Sequence, residues 1–131
     1  MKKNGLLNYP LSSVIASLGH TDTIVIADAG LPIPVTAERI DLAVKEGLPL
    51  FLEVLKATLD EMQVESAIIA SEMAQVSPEL HKALADMLGD IPVTQVAHAA
   101  FKAQTAFAKA VVRTGEFTPY ANVILVAGVI F

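Results

Sequence analysis

The chain has 131 residues, with 9 Lys and Arg against 14 Asp and Glu, a formal net charge of −5, 53% hydrophobic residues, 18% charged, 5% aromatic and no cysteine. That balance excludes a disordered chain, a binder of phosphate backbones, because Lys45, Lys56, Lys82, Lys102 and Lys109 each stand alone, and a disulfide framework or Cys-based zinc site. The length suits one domain over residues 1–131. The apolar excess, mostly Ala, Val, Leu and Ile, is more than a small monomer hides, so an oligomer is expected.

Lys2 and Lys3 ahead of an uncharged stretch imitate a secretory signal, but Asn4, Asn8, Pro10, Ser12 and Ser13 break any apolar run. The longest apolar run, 123–131, is far below the roughly 20 residues of a membrane-spanning helix. No membrane span is expected, and with no cysteine to suggest an oxidising compartment the cytoplasm is the default location.

Pro10, with Leu11, Val14, Ile15 and Leu18 at helical spacing and Gly19 after them, predicts a helix over 10–18. His20 follows its end. The β-branched run 23–27 reads as a buried strand that delivers Asp28 at its C-terminus. A brief strand is expected over 40–44, then a helix over 50–62 with Leu52, Leu55, Leu59 and Met62 as its inner stripe. Residues 66–71 form the next strand, ending at Glu72. Ser77, Pro78 and Glu79 read as N-cap, first-turn proline and early acid of a helix closed by Gly89. A strand over 93–97 hands over at His98 to an Ala-rich helix reaching Lys109, and strands over 110–113 and 122–130 flank a loop. Strands alternating with helices predict a layered α/β/α fold around a mostly parallel, mixed sheet with antiparallel additions at the end.

Asp28, Glu72 and His98 fall at strand C-termini, where α/β folds place their sites. His20 joins them by closeness in sequence. It reads either as a group exchanging protons near neutral pH or as a C-capping side chain. Asp28 is a base, a hydroxyl acceptor or a turn residue; Glu72 equally suits pairing with a cation. His98 and Lys102 share a helix face one turn apart, or are simply a first-turn residue and a solvated one. His81 beside the stripe Leu80, Leu84, Met87 and Leu88 reads as exposed and idle. Tyr120, Ala121 and Asn122 put an aromatic face beside an amide, a hydroxyl-reading pair or an ordinary turn. No dinucleotide or Walker-type glycine loop and no nucleophile elbow occurs, and His20, Asp28, Glu72 and His98 lack helix-borne metal spacing. No cofactor and no metal are expected.

The strings Leu18-Gly19-His20-Thr21-Asp22, Ile26 to Pro34, Arg113-Thr114-Gly115-Glu116 and Pro119-Tyr120-Ala121-Asn122 resemble the D-ribose pyranases of the ribose and fucose mutarotase family. The likeness covers essentially the whole chain and is loosest over 61–96. It implies interconversion of β-D-ribopyranose and β-D-ribofuranose, with His20 as proton donor and Asp28, His98 and Tyr120-Ala121-Asn122 contacting the sugar. It also implies a decamer of two stacked pentameric rings. Ala99-Ala100 after His98 departs from the family pattern, where more polar residues are expected. Ring opening and reclosure need only proton transfer, which fits the absence of cofactor motifs. A fucose mutarotase would use the same chemistry on a six-carbon sugar. A non-catalytic sugar-binding ring protein would keep the Asp, Tyr and Asn contacts without depending on His20.

Overall fold

The computed structural model describes residues 1–131. Six strands form one sheet in the order β2-β5-β1-β6-β3-β4. They are β1 (Thr23–Ala27), β2 (Glu38–Asp41), β3 (Val64–Ala70), β4 (Val93–Val96), β5 (Ala110–Arg113) and β6 (Val123–Ala127). The pairs β1 with β5, β2 with β5 and β3 with β4 are parallel, and β6 runs antiparallel to both β1 and β3. The antiparallel strand is thus last in the chain and central in the sheet.

Five helices accompany the strands: α1 (Tyr9–Ser17), α2 (Phe51–Leu59), α3 (Glu72–Val76), α4 (Pro78–Leu88) and α5 (His98–Gln104), the last continued by a 3₁₀ turn at Thr105–Phe107. The expected elements are present with shifted ends, and α3 was not expected. Asn8 caps α1, its side chain accepting from the Leu11 N–H at 3.0 Å. Ser77 precedes α4 as expected but makes no cap bond; its hydroxyl donates to the Pro119 carbonyl at 2.7 Å instead.

The inner strands β1, β5 and β6 are buried on both faces, their apolar and largely β-branched side chains alternating across the sheet, whereas the edge strands β2 and β4 are mostly exposed. Ile24, Ile26, Val112, Val123 and Leu125 face Leu11, Phe51, Leu55, Met73 and Leu84 from α1 to α4, in a cluster of 21 buried residues. Each large side chain there contributes about 1.5–3 kcal/mol by leaving water. Val25, Ala27, Val111 and Ile124 face the other way, onto Phe101 of α5, in a cluster of only 7. The layers are therefore α/β/α, with one outer layer thin.

Tyr9, Val35, Phe107, Phe117, Ile130 and Phe131 are exposed. The chain leaves the sheet at Ala127, and Ile130 and Phe131 beyond it do not pack in the sheet. No helix is long and apolar enough to cross a membrane.

Candidate active site

The C-termini of the parallel strands and the start of β6 meet at one edge of the sheet. Segment 114–122 leaves β5, crosses the end of β1 and enters β6 on its far side. That crossing brings Tyr120 and Asn122 to Asp28.

Asp28 is fixed from several directions. Its backbone N–H donates to Asn122 Oδ1, and Asn122 Nδ2 donates to its Oδ2, both at 2.9 Å. Its Oδ1 accepts from the Gly30 N–H at 2.9 Å. Asn122 is fully buried, so its amide holds Asp28 where water cannot compete. Tyr120 reaches its place through a left-handed backbone conformation, φ 64°, within a turn closed by the Asn122 N–H donating to the Tyr120 carbonyl at 2.8 Å.

His98 stands across from them at the start of α5. Its ring meets the Tyr120 ring edge-on at 5.0 Å and 85°, and lies parallel to Phe101 at 6.2 Å and 13°. Its Nδ1 is buried with no hydrogen-bond partner, which costs about 1–3 kcal/mol and is the kind of defect retained where function requires it. Both Glu72 carboxylate oxygens accept from the His98 N–H, at 2.9 and 3.2 Å. Glu72 therefore caps α5 rather than pairing with a cation. Backbone N–H groups of Glu72 itself and of His98 hold its carboxyl below the usual range, against a smaller effect of burial.

Asp28, His98, Lys102 and Tyr120 share an open cleft of about 470 Å³, with Gly30, Pro32 and Pro119 completing its wall. Lys102 lies one helical turn from His98 and makes no ion pair within the chain. A carboxylate, an imidazole, an ammonium and a phenol face one small volume, an arrangement suited to ordering several hydroxyls. Another cavity, about 860 Å³ between α2 and α4, contains none of the residues read as sugar contacts. Nowhere do three or more His, Asp or Glu side chains cluster as metal ligands.

His20 is not among these groups. It sits before β1, and the five-residue strand that separates it from Asp28 is about 16 Å long. Closeness in sequence misleads here, because a strand carries the chain from one edge of the sheet to the other. His20 does not cap α1, which ends at Ser17 with Leu18 as its C-cap, and its ring bonds Glu65 rather than the last helix carbonyls. Its Nε2 lies 2.7 Å from Glu65 Oε2, and both side chains are open to solvent. His81 is half-buried against Leu84 and Leu88 rather than exposed, with no polar partner.

The model of the RbsD / FucU transport protein family matches residues 1–130. The chain belongs to this family. A D-ribose pyranase of Laribacter hongkongensis is 60% identical to it over 131 residues, all of both chains. The solved structure of Bacillus subtilis RbsD in complex with D-ribose superposes with a TM-score of 0.97 at 50% identity, covering 100% of each chain. A fucose mutarotase of Streptococcus pneumoniae in complex with L-fucose is more distant, with a TM-score of 0.77 and 25% identity over 95% of each chain.

Within this RbsD/FucU chain, the Arg-Thr-Gly-Glu segment proves to be the scaffold of the Asp28 turn, a role sequence spacing does not reveal. Arg113 Nε donates to the Ala29 carbonyl at 2.9 Å, while its guanidinium also bonds Asp41. The buried Thr114 hydroxyl donates to the Ala27 carbonyl at 2.8 Å, and the Ala29 N–H donates to the Glu116 carbonyl at 2.9 Å. Burial raises the Glu116 carboxyl, but bonds from the Thr118 hydroxyl and the backbone N–H groups of Thr118, Phe51 and Phe117 outweigh it and hold the group below its usual range. Gly115 is obligatory: a Cβ there would stand 2.5 Å from the Lys45 carbonyl oxygen and 2.6 Å from that of Leu48.

Proposed function

We propose that the protein is a mutarotase of D-ribose that interconverts the β-pyranose and β-furanose rings, as one catalytic domain over residues 1–131. The observation that carries this reading is the cleft at the C-terminal edge of the sheet. Its carboxylate, locked on both sides by Asn122, stands opposite His98 and Tyr120. Full-length similarity to a D-ribose pyranase and to an RbsD that binds D-ribose supports the choice of sugar.

Opening a cyclic hemiacetal breaks the bond between the anomeric carbon and the ring oxygen. The ring oxygen gains a proton, the anomeric hydroxyl loses one, and a carbonyl forms. Rotation and reclosure through a different hydroxyl change the ring size with no net change of atoms or electrons. Asp28 accepts a sugar hydroxyl, and the Tyr120 face packs on sugar C–H groups. His98 and the turn Tyr120-Ala121-Asn122 complete the sugar contacts, Asn122 acting through its hold on Asp28. The Lys102 ammonium adds a hydroxyl donor and favours an alkoxide developing near it.

His20 serves as the proton donor, a role worth about 10² to 10⁴-fold in general acid–base catalysis. The length of β1 keeps it from the Asp28 cleft of its own chain, so each site is completed by the partner subunit's His20. An oligomer is then a requirement of catalysis. The exposed Val35, Phe107, Phe117, Ile130 and Phe131 supply apolar surface for it, and a cytoplasmic decamer of two pentameric rings fits both that surface and the family resemblance.

Ribose equilibrates slowly among its ring forms, so NMR magnetisation exchange between pyranose and furanose signals at substoichiometric protein reads the activity directly. Exchange is expected with ribose and should vanish in His20→Ala at unchanged oligomer size. Exchange with fucose alone would overturn the substrate. Signals perturbed only in proportion to occupancy would mark a binder.

A further inference from the structure

The residue that faces His20 stands at an irregularity of the sheet. Between β3 and β6, Val64 pairs with Ala127 and Ser66 with Val126, so two steps along β3 match one along β6. Glu65 is the extra residue of a β-bulge. Such a bulge leaves one residue out of the ladder and re-aims its side chain. Here the carboxylate meets His20 Nε2 at 2.7 Å.

The surroundings of the pair are equally constrained. Thr21 holds φ 70°, a left-handed conformation costly for a β-branched residue, and its N–H donates to the Ala127 carbonyl at 2.9 Å. The Asp22 carboxylate accepts from the Gly19 N–H at 2.9 Å and meets Lys109 at 3.6 Å, closing the turn that carries His20. Gly128 lets β6 pass close to the bulge; a Cβ there would stand 3.1 Å from Glu65 Cβ.

Stability does not account for this arrangement. Side-chain exposures of 54% for His20 and 40% for Glu65 make their ion pair worth little to folding. What the pair does fix is the direction of the imidazole. With Nε2 bonded to Glu65, Nδ1 is the ring nitrogen left without a partner in the chain.

We propose that Glu65 is a positioning residue for the mutarotase reaction: delivered by the β-bulge, its carboxylate holds His20 through Nε2 so that Nδ1 is the atom that exchanges protons with the sugar. The inference rests on His20 being the proton donor, and it adds the group that aims it.

Ribose ring exchange measured by NMR over a range of sugar concentrations, on the assembled full-length protein, tests this. Glu65→Ala should lower kcat about 10- to 100-fold, as misplaced catalytic groups do, with KM within about twofold and the oligomer unchanged by light scattering. Glu65→Gln keeps an oxygen able to accept the Nε2–H bond and should stay within about threefold of the parent. Glu65→Asp keeps the charge but falls a methylene short, and should lose nearly as much as Glu65→Ala. Parent kcat in Glu65→Ala would overturn the proposal, as would Glu65→Asp at full rate with Glu65→Gln as slow as Glu65→Ala, because charge rather than the bond would then be responsible. His20→Ala is run beside them: if it exchanges at full rate, the donor assignment itself has failed, whereas its inactivity beside an active Glu65→Ala isolates the failure to Glu65.

Discussion

Asn122 grips Asp28 twice, accepting from its backbone N–H and donating to its carboxylate, each at 2.9 Å, from a position with no exposure to water. The amide is matched to this task because it offers a donor and an acceptor on one rigid plane. Aspartate would set two carboxylates face to face, and alanine would leave the partly buried Asp28 N–H unpaired.

Asn122→Ala should therefore lower stability by about 1–3 kcal/mol for the orphaned group, more with the cavity it leaves. Thermal unfolding measures that loss. In ribose exchange the same variant should raise KM more than it lowers kcat, since its part in binding is to hold Asp28.

Mixed oligomers test whether the site is shared. His20→Ala and Asp28→Asn are each expected to be impaired alone. Co-expressed and co-assembled at random, they should regain about a quarter of the parent activity, because that share of interfaces joins an intact His20 to an intact Asp28. Absence of any recovery in demonstrably mixed oligomers would place both groups in one chain's site.

The low position of the Glu116 carboxyl has a defined consequence for acid stability. A depressed carboxyl stabilises the fold above its ordinary value of 4.5 and loses that contribution as pH falls through the folded value. Glu116→Gln cannot accept all of the bonds from Thr118 and Phe51, so it should be less stable than the parent at pH 6. The difference should narrow below about pH 4.5 as the parent carboxyl protonates. A gap that persists unchanged at pH 3 in thermal unfolding would show that shape, not charge, is what Glu116 supplies.

Gly115→Ala should cost about 1–3 kcal/mol by overpacking, because the atoms it would strike are backbone atoms of Lys45 and Leu48 that cannot swing aside. The loss should spread to activity, as the same turn supports Ala29 through Glu116. Thermal unfolding and ribose exchange on the one variant measure both.

Extensive chelation should leave ribose exchange intact, because opening and reclosing a hemiacetal require only proton transfer. Loss of activity restored by one divalent ion would mean that Asp28 or His98 acts as a ligand.

Periodicity alone placed the strands at Thr23–Ala27 and Ala110–Arg113, the helix stop at Gly89, and Asp28 and His98 at strand ends, because burial on both faces and helix punctuation are local properties written in consecutive residues. Sequence spacing could not show that β6 would insert between β1 and β3, since pairing of distant strands is chosen by the packing of the whole sheet. From that single topological fact come the Asp28 to Asn122 clasp, the crossing loop that presents Tyr120 to His98, and the bulge that turns Glu65 toward His20. The same strand geometry separates His20 from Asp28 by the length of β1, although only eight positions divide them in the chain. Local sequence chooses the residue types and the elements; which of those residues meet is decided by contacts between segments far apart in the chain, whose energies exist only once the sheet is assembled.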